Sequence, residues 1–578
     1  MGQRGDAAGP PKADHQDTPA GSSNLKRIVT TSVAAAMLAF GLAAPAAAGG
    51  GTTPTVTPPT VKRVWNPVQP SRAPGHFART APGRTIATRG YLPMFERSRS
   101  ASAGAGSGSN GGQLEPAAPS ALRSWDGQMD LGATPPDTTG AAGEQSYVQA
   151  INRRFAIYSR TGTLMASLGF KKFVQAPDSF NTDPQVVWDP ATGVFYYALF
   201  NYNNNYLYYG WSRTGNPASL GSSDWCHEVT TIYGASSQVP DYPKLGGTAY
   251  FGAIGVNVFN AYTGAYMRSD VFLFQKQARG TTDDCPPTNP GPQIWQVQDL
   301  TDGTGGTPTK AFTPIPAAQT DFDAAAGTGT IVAATPNLAT PTNALCGNEL
   351  TEFTVTGTTT PSLSAPTNIT VPEFDLPDPA PQYRSTRLLD TLDCRLTQAV
   401  SGFDPNVSSP GPVGEVWTQH TVLGGPGAAV RWYELGPASI DQSGTVVGAS
   451  STFAFNGAIS SDRSVPQSGA AQFGGAMVLG FNTSSTTQDA DIRMVSKVGA
   501  AAQSKWLTLK VSPGPDRDYG CGSEIPLVCR WGDYAGAGAD PRTSAGPNGH
   551  VWLASQWNVD SATKDDVDAR TFIWEARP

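Results

Sequence analysis

Long apolar runs and helical periodicity are what this chain of 578 residues has least of. After residue 48 no stretch holds a 3.6-residue apolar period, which leaves little room for helices. None approaches the ~20 apolar residues that a membrane-spanning helix requires. Charged residues make up only 15% of the chain, and histidine occurs five times. His76, His227, His420 and His550 share no HxxxH or HExxH spacing and no CxxC pair exists, so a zinc site has no support. A GxSxG nucleophile elbow is missing. Phosphate-cradling glycine loops are missing too, because the glycines follow turns instead of opening helices.

In their place stand 64 glycines and 49 prolines, with Thr, Val, Tyr and Trp frequent between them, a pattern of short strands and tight turns. One phrase recurs seven times: an acidic loop, a small-residue strand, a turn, an apolar strand and a polar stop. It opens at Asp137, Asp183, Asp241, Asp323 (Asp321 being the alternative), Asp404, Asp462 and Asp533, with Asp462 matching least well. It closes at Asn152, Asn201, Asn257, Asn337, His420, Asn482 and Asn558. Repetition on this scale signals a repeat architecture. A third strand usually follows the stop, as in RRFAIYS or AAVRWYELG, and a fourth fits most intervals, as in EVTTIY or WLTLKV. Four antiparallel strands per unit make the blade of a β-propeller. The expected fold is therefore all-β, a seven-bladed β-propeller, with six or eight blades as alternatives. After Asn558 only the strand RTFIWE remains, so a segment near Leu122 is expected to complete the last blade and close the ring.

Three domains follow. Residues 1–48 read as a secretory signal peptide: Lys26 and Arg27 precede a short Ala-rich apolar run that ends at Ala46-Ala47-Ala48. Residues 49–120 are rich in Pro, Gly, Ser and Thr and read as a disordered tether. Residues 121–578 form the propeller. The mature protein is expected to be secreted, extracellular or attached to the cell surface, with no membrane span. An even set of six cysteines suits that compartment. Pairing sequence neighbours gives Cys226–Cys285, Cys346–Cys394 and Cys521–Cys529. From Ala121 onward 41 acidic residues outnumber 27 basic ones, which argues against nucleic acid as a partner.

The stretches PPDTTGAAGEQSYVQAIN, NTDPQVVWDPATGVFYYALF, AVRWYEL and RWGDYAG resemble a family of exported bacterial β-propeller proteins grouped with sialidase-like propellers. The resemblance spans about Pro135 to Trp557 and implies the fold; the family carries no settled activity. Sialidase chemistry, as the resemblance implies it, needs three arginines, a tyrosine paired with a glutamate, and an aspartate. Arg384, Arg387, Arg431 and Arg530 are present, with Tyr383, Tyr433 and Glu434 nearby, but no motif ties them together. An Asp-box survives only in damaged form, from Ser439 to Thr445.

If the acidic loops share one face, Asp137, Asp183, Asp241, Asp323, Asp404 and Asp533 converge on the channel mouth. Clustered carboxylates suit Ca²⁺. Two of them also suit glycoside hydrolysis. The plainer reading is that an Asp repeated in every blade fixes its own turn by accepting backbone hydrogen bonds. Arg431-Trp432-Tyr433 and Arg530-Trp531 with Tyr534 are expected to offer a surface for sugar rings or protein, or else to pack between blades. The expectation from sequence is an extracellular binding module for a glycan or protein ligand. The alternatives are a sialidase-like glycoside hydrolase working through the acidic loops and a structural cell-envelope protein. Paired carboxyls in one pocket would mark the enzyme, and exposed aromatics without such a pair the binding module.

Overall fold

The computed structural model describes residues 63–64, 66–68 and 116–578, except 130–132, 177–180, 202, 235–236, 277–284, 286–292, 304–308, 323–324, 336–345, 409, 412, 519, 522–526 and 561–567. The expected signal peptide lies outside the described residues. Among those residues the only helix is the single turn Phe170–Phe173, and no helix is long and apolar enough to cross a membrane.

Seven sheets follow one another along the chain, antiparallel except where Ala318–Gln319 pairs parallel with Leu396–Gly402. Sheet 1 begins at Thr139–Ala142, sheet 2 at Asn181–Asp189, sheet 3 at Gln238–Gly247 and sheet 4 at Phe312–Pro316. Sheets 5, 6 and 7 begin at Leu396–Gly402, Phe453–Ser461 and Gly536–Ala539. The first strands pack in sequence, each on the next, and Gly536–Ala539 packs back on Thr139–Ala142. Crowding at these contacts explains their small residues. A Cβ on Gly246 would lie 2.2 Å from the Pro316 carbonyl oxygen, and one on Gly536 would meet the Gly140 amide at 3.0 Å.

Burial peaks at the second strands and falls outward from them. Second strands such as Val194–Asn201 and Glu415–Val422 are buried throughout, because both faces are covered by neighbouring sheets. Outer strands such as Leu164–Gly169 and Ser439–Val446 are largely exposed. The damaged Asp-box is therefore an ordinary outer strand. Sheet 7 takes its outer strand from the N-terminal side, where Ser120–Asp126 pairs antiparallel with Ala569–Arg577. A small eighth sheet joins Ala380–Pro381, Leu388–Leu389 and Val528–Cys529.

The stretch expected as a tether is not wholly free. Arg63–Val64 pairs with Ser362–Leu363 of sheet 4, and Asn66–Val68 pairs with Ile294–Val297 of sheet 3, so backbone groups on two outer edges find partners. All three expected disulfides are formed. Cys226 lies in the outer strand of sheet 2 and its partner Cys285 in a loop of sheet 3; Cys346–Cys394 joins sheets 4 and 5.

The polar stops fasten neighbouring sheets. Asn152 Oδ1 accepts from the amide of Asp183 in the next sheet at 2.9 Å, and Asn257 Oδ1 accepts from the Thr313 amide at 3.0 Å. Asp183 and Thr313, held in this way, have left-handed backbones, as do Asp137, Tyr242 and Asn456 at the corresponding positions, with φ between 44° and 59°. Asp and Asn tolerate that region better than most residues, which accounts for three of the five.

Candidate functional site

The expected ring of seven acidic loops divides between two ends of the first strands. Asp137, Asp183, Asp241 and Asp533 lie at or just before the start of the first strands of sheets 1, 2, 3 and 7. Asp321, Asp404 and Asp462 follow the first strands of sheets 4, 5 and 6, and so stand at the opposite end. Asp323 lies outside the described residues. In sheets 4 to 6 the phrase had matched the turn before the second strand. At the true starts of sheets 4 and 6 stand Thr313 and Asn456 instead.

At the acidic end the four carboxyls face one another. Asp183 and Asp241 face each other side chain to side chain within hydrogen-bond reach. Burial, then the charges of Asp241, Asp137 and Asp533, push Asp183 well above the usual carboxylate range. Burial raises Asp241 as well, against its bond from Asp183. Asp137 is pushed up to about 7, first by burial and then by the charge of Asp533. Its oxygens accept from the Asp533 amide at 2.6 Å and from Asn152 Nδ2 at 2.7 Å, so Asp137 also latches sheet 7 to sheet 1. Asp533 forms an ion pair with Arg530 at 2.9 Å, which favours its carboxylate.

Beside this group lies a residue the sequence reading passed over. Lys244 is only 1% exposed, and its Nζ has no hydrogen-bond partner. The amine sits over the Tyr534 ring at 3.6 Å and the Tyr242 ring at 4.1 Å. Burial pushes its pKa well below the usual lysine range, against the pull of Asp533, Asp137 and Asp183. Cation–π contacts favour the ammonium by about 0.5–2 kcal/mol, less than the several kcal/mol that desolvating an ion costs. Carboxyls pushed up and an amine pushed down are two sides of one water-poor environment. A lysine inside a small-residue strand, in the order Asp241-Tyr-Pro-Lys244, was the available signal. Arg395 closes the group, its guanidinium 4.6 Å from the Tyr242 ring and 4.9 Å from Phe312.

Lys244 and Tyr534 also border a cavity of about 800 Å³, open to solvent, that runs along the first strands from Thr139 and Gln185 towards Arg463. Its walls are largely glycine, alanine and valine backbone with Gln319 and Gln398 among them.

The Ca²⁺ expectation meets a different geometry. Among the described residues, two groups bring three ligand atoms within 4.8 Å of one another: Asp516 with Cys521 and Cys529, and Asp540 with His550 and Glu575. The first spends both sulfurs on a disulfide and the second is neutralised by Arg160 and Arg123. Neither includes an acidic-loop residue.

The aromatic clusters are packing, not surface. Trp432 and Trp531 are each 1% exposed, Tyr433 is 0% and Tyr534 2%. Trp432 stacks on Trp417, Tyr433 meets His420, and Trp531 donates to Asn482. Arg431 donates to the Pro372 and Glu373 carbonyls, and Arg384 pairs with Asp489, so the arginines of the sialidase expectation are engaged separately. Arg530 alone of those arginines meets the acidic end.

No protein-family model matches the chain, and no curated protein does. Solved structures similar to it include an α-L-arabinanase of Penicillium chrysogenum bound to arabinobiose, at 12% identity over 69% of this chain and 93% of that one, TM-score 0.33. An α-L-arabinofuranosidase of Fusarium graminearum with an iminosugar inhibitor matches at 10% identity over 69% and 94%, TM-score 0.34. A fructofuranosidase of Schwanniomyces occidentalis matches at 9% over 75% and 79%, TM-score 0.20. These are glycoside hydrolases, neither sialidases nor binding modules. Likeness at this level transfers no residue and no substrate. The expectation of a binding module is nonetheless overturned by its own criterion: the mouth holds a carboxyl pair, and the aromatics are buried.

Proposed function

We propose that the protein is an exported glycoside hydrolase on a seven-bladed propeller, with the acidic end of the channel as its active site. The observation that carries this reading is the facing pair Asp183–Asp241, both raised by burial, beside Asp533 in its ion pair with Arg530. Glycosidic cleavage needs a carboxyl that arrives protonated and another that arrives as carboxylate. A hydrogen-bonded pair is closer than the roughly 5–9.5 Å between the two catalytic groups of such enzymes, so the pair acts as one acid. It delivers its proton to the leaving oxygen, while Asp533, held by Arg530, serves as the base or nucleophile across the mouth.

Seven sheets, the unbroken order of contacts among their first strands, and the pairing of Ser120–Asp126 with the last sheet support a seven-bladed ring closed from the N-terminal side. Three disulfides support folding in an oxidising compartment. Residues 1–48 as a removed leader fit this, and the N-terminal mass of the exported protein checks it.

The test is sugar release from a panel of aryl glycosides and plant polysaccharides, including arabinofuranosides and fructofuranosides. Wild-type protein is expected to turn over one class, with kcat lowered about 10²–10⁴-fold by Asp183→Asn and by Asp533→Asn. Turnover that survives both substitutions would place the chemistry elsewhere, and no turnover on any substrate would end the hydrolase reading.

A further inference from the structure

Three polar atoms on the channel are buried without partners: Lys244 Nζ, Gln319 Oε1 and Gln398 Oε1. Both glutamines spend their amide NH₂ on backbone carbonyls, Gln319 on Thr328 at 2.8 Å and Gln398 on Ala537, which turns each side chain into a fixed acceptor. Buried acceptors without donors are rare in folded proteins, and two of them on one cavity ask for a ligand with hydroxyl groups. An amine on the same wall, clamped by two tyrosine rings and bonded to nothing, asks for something an amine can react with.

We infer that the channel binds a small polyhydroxylated aldehyde, whose hydroxyls donate to Gln319 and Gln398 and whose carbonyl carbon is attacked by Lys244 to form an imine. The nitrogen lone pair adds to the carbonyl carbon, and the carbonyl oxygen takes a proton to become a hydroxyl. Loss of that hydroxyl as water leaves the C=N bond, so amine plus aldehyde gives imine plus water with no oxidant or reductant. The Asp183–Asp241 pair lies close enough to the amine to influence its charge and is a local source of the proton that water needs. The lowered lysine pKa supports this chemistry, because only the unprotonated amine attacks. The charged and titratable groups around it are Tyr242 on its own strand, Tyr534 and Asp533 from sheet 7, Asp137 from sheet 1, Asp183 from sheet 2 and Arg395 from sheet 5. Imine formation breaks no glycosidic bond, so it stands or falls apart from the hydrolase reading.

The experiment is reductive alkylation of the intact wild-type protein with glycolaldehyde and cyanoborohydride near pH 6.5, followed by peptide mass mapping. Lys244 is expected to gain the hydroxyethyl group at least about tenfold faster than the exposed Lys171 and Lys172. Its lead should shrink as pH rises and the surface amines lose their protons. Threitol, a polyol without a carbonyl, should slow labelling at Lys244 alone, and Gln319→Leu with Gln398→Leu should remove that protection while labelling persists. Labelling of Lys244 no faster than of Lys171 and Lys172 would overturn the imine. Failure of threitol to protect the wild-type protein would overturn the polyol site.

Discussion

The two ends of the first strands carry the same residue in two opposite states. At the far end Asp189, Asp321, Asp462 and Asp540, which follow first strands, are engaged by donors, whereas Asp404 faces the carboxyl of Glu434. Asp189 pairs with Lys276 of sheet 3, Asp321 takes both arms of Arg463, and Asp540 meets Arg160 of sheet 1. Asp462 accepts three backbone amides, one of them from Gly549 in the next sheet. These contacts staple neighbouring sheets together. At the near end Asp183 and Asp241 bond to each other, and burial pushes the nearest lysine well below the usual lysine range. Carboxylates given donors act as fasteners, whereas carboxyls left facing their own kind must hold protons, and held protons are what acid catalysis uses.

That contrast can be broken most severely at the near end. Asp183→Asn should leave Tm within a few degrees of wild type, since an amide can still bond Asp241, while activity falls by the 10²–10⁴-fold expected of a lost general acid. A Tm collapse alongside the lost activity would make Asp183 a fastener after all. Next in size, Asp462→Ala strands three buried amides and should cost about 3 kcal/mol of stability, read by denaturant melts, with turnover per folded molecule unchanged. An effect below about 0.5 kcal/mol would remove the distinction between the two ends.

A third acidic group sharpens the comparison because it lies among the staples yet behaves like the mouth. Burial, then the charge of Asp404, push Glu434 up to about 9. A carboxyl whose pKa rises on folding contributes its stability below the unfolded value near 4.5 and loses it as pH climbs towards 9. Glu434→Gln should therefore raise Tm relative to wild type at about pH 8.5 and by much less at about pH 5, measured by thermal melts at both. The smallest effect concerns His420, lowered to about 3 by burial, with Nδ1 on the Cys394 carbonyl and Nε2 facing the Tyr433 hydroxyl. Its contribution is present above about pH 6.5 and drains away as pH falls to 3. His420→Gln should make the Tm decline between about pH 6 and pH 4 shallower than in wild type.

Strand order, the three disulfides and the strand that completes sheet 7 were legible in the sequence, because buried second strands form continuous apolar runs and a one-strand deficit is countable. The first strands of sheets 4 to 6 were not. Lining a crowded axis, Phe312–Pro316 and Leu396–Gly402 are short or mixed in polarity, and they carry neither the apolar run nor the leading Asp that marks Asn181–Asp189. The pattern therefore slipped to the aspartates after them. Lys244 stayed hidden for the same reason. Which wall of a channel a residue faces depends on bulges such as the one between Asp241 and Lys244, and a bulge in a single sequence has no signature beyond the turn-prone residues around it.

The pairing of Ser120–Asp126 with Ala569–Arg577 has a consequence for how the molecule comes to exist. Sheet 7 draws on segments made at the beginning and at the end of synthesis of the folded region, separated by every other sheet. Until the chain has been synthesised through Arg577, the first sheet lacks its last neighbour and the strand at Ser120 lacks its partner in sheet 7. The loop entropy of joining those distant segments belongs to the slowest step of folding, and that step also assembles the contact between Asp533 and Asp137 on which the acidic mouth depends.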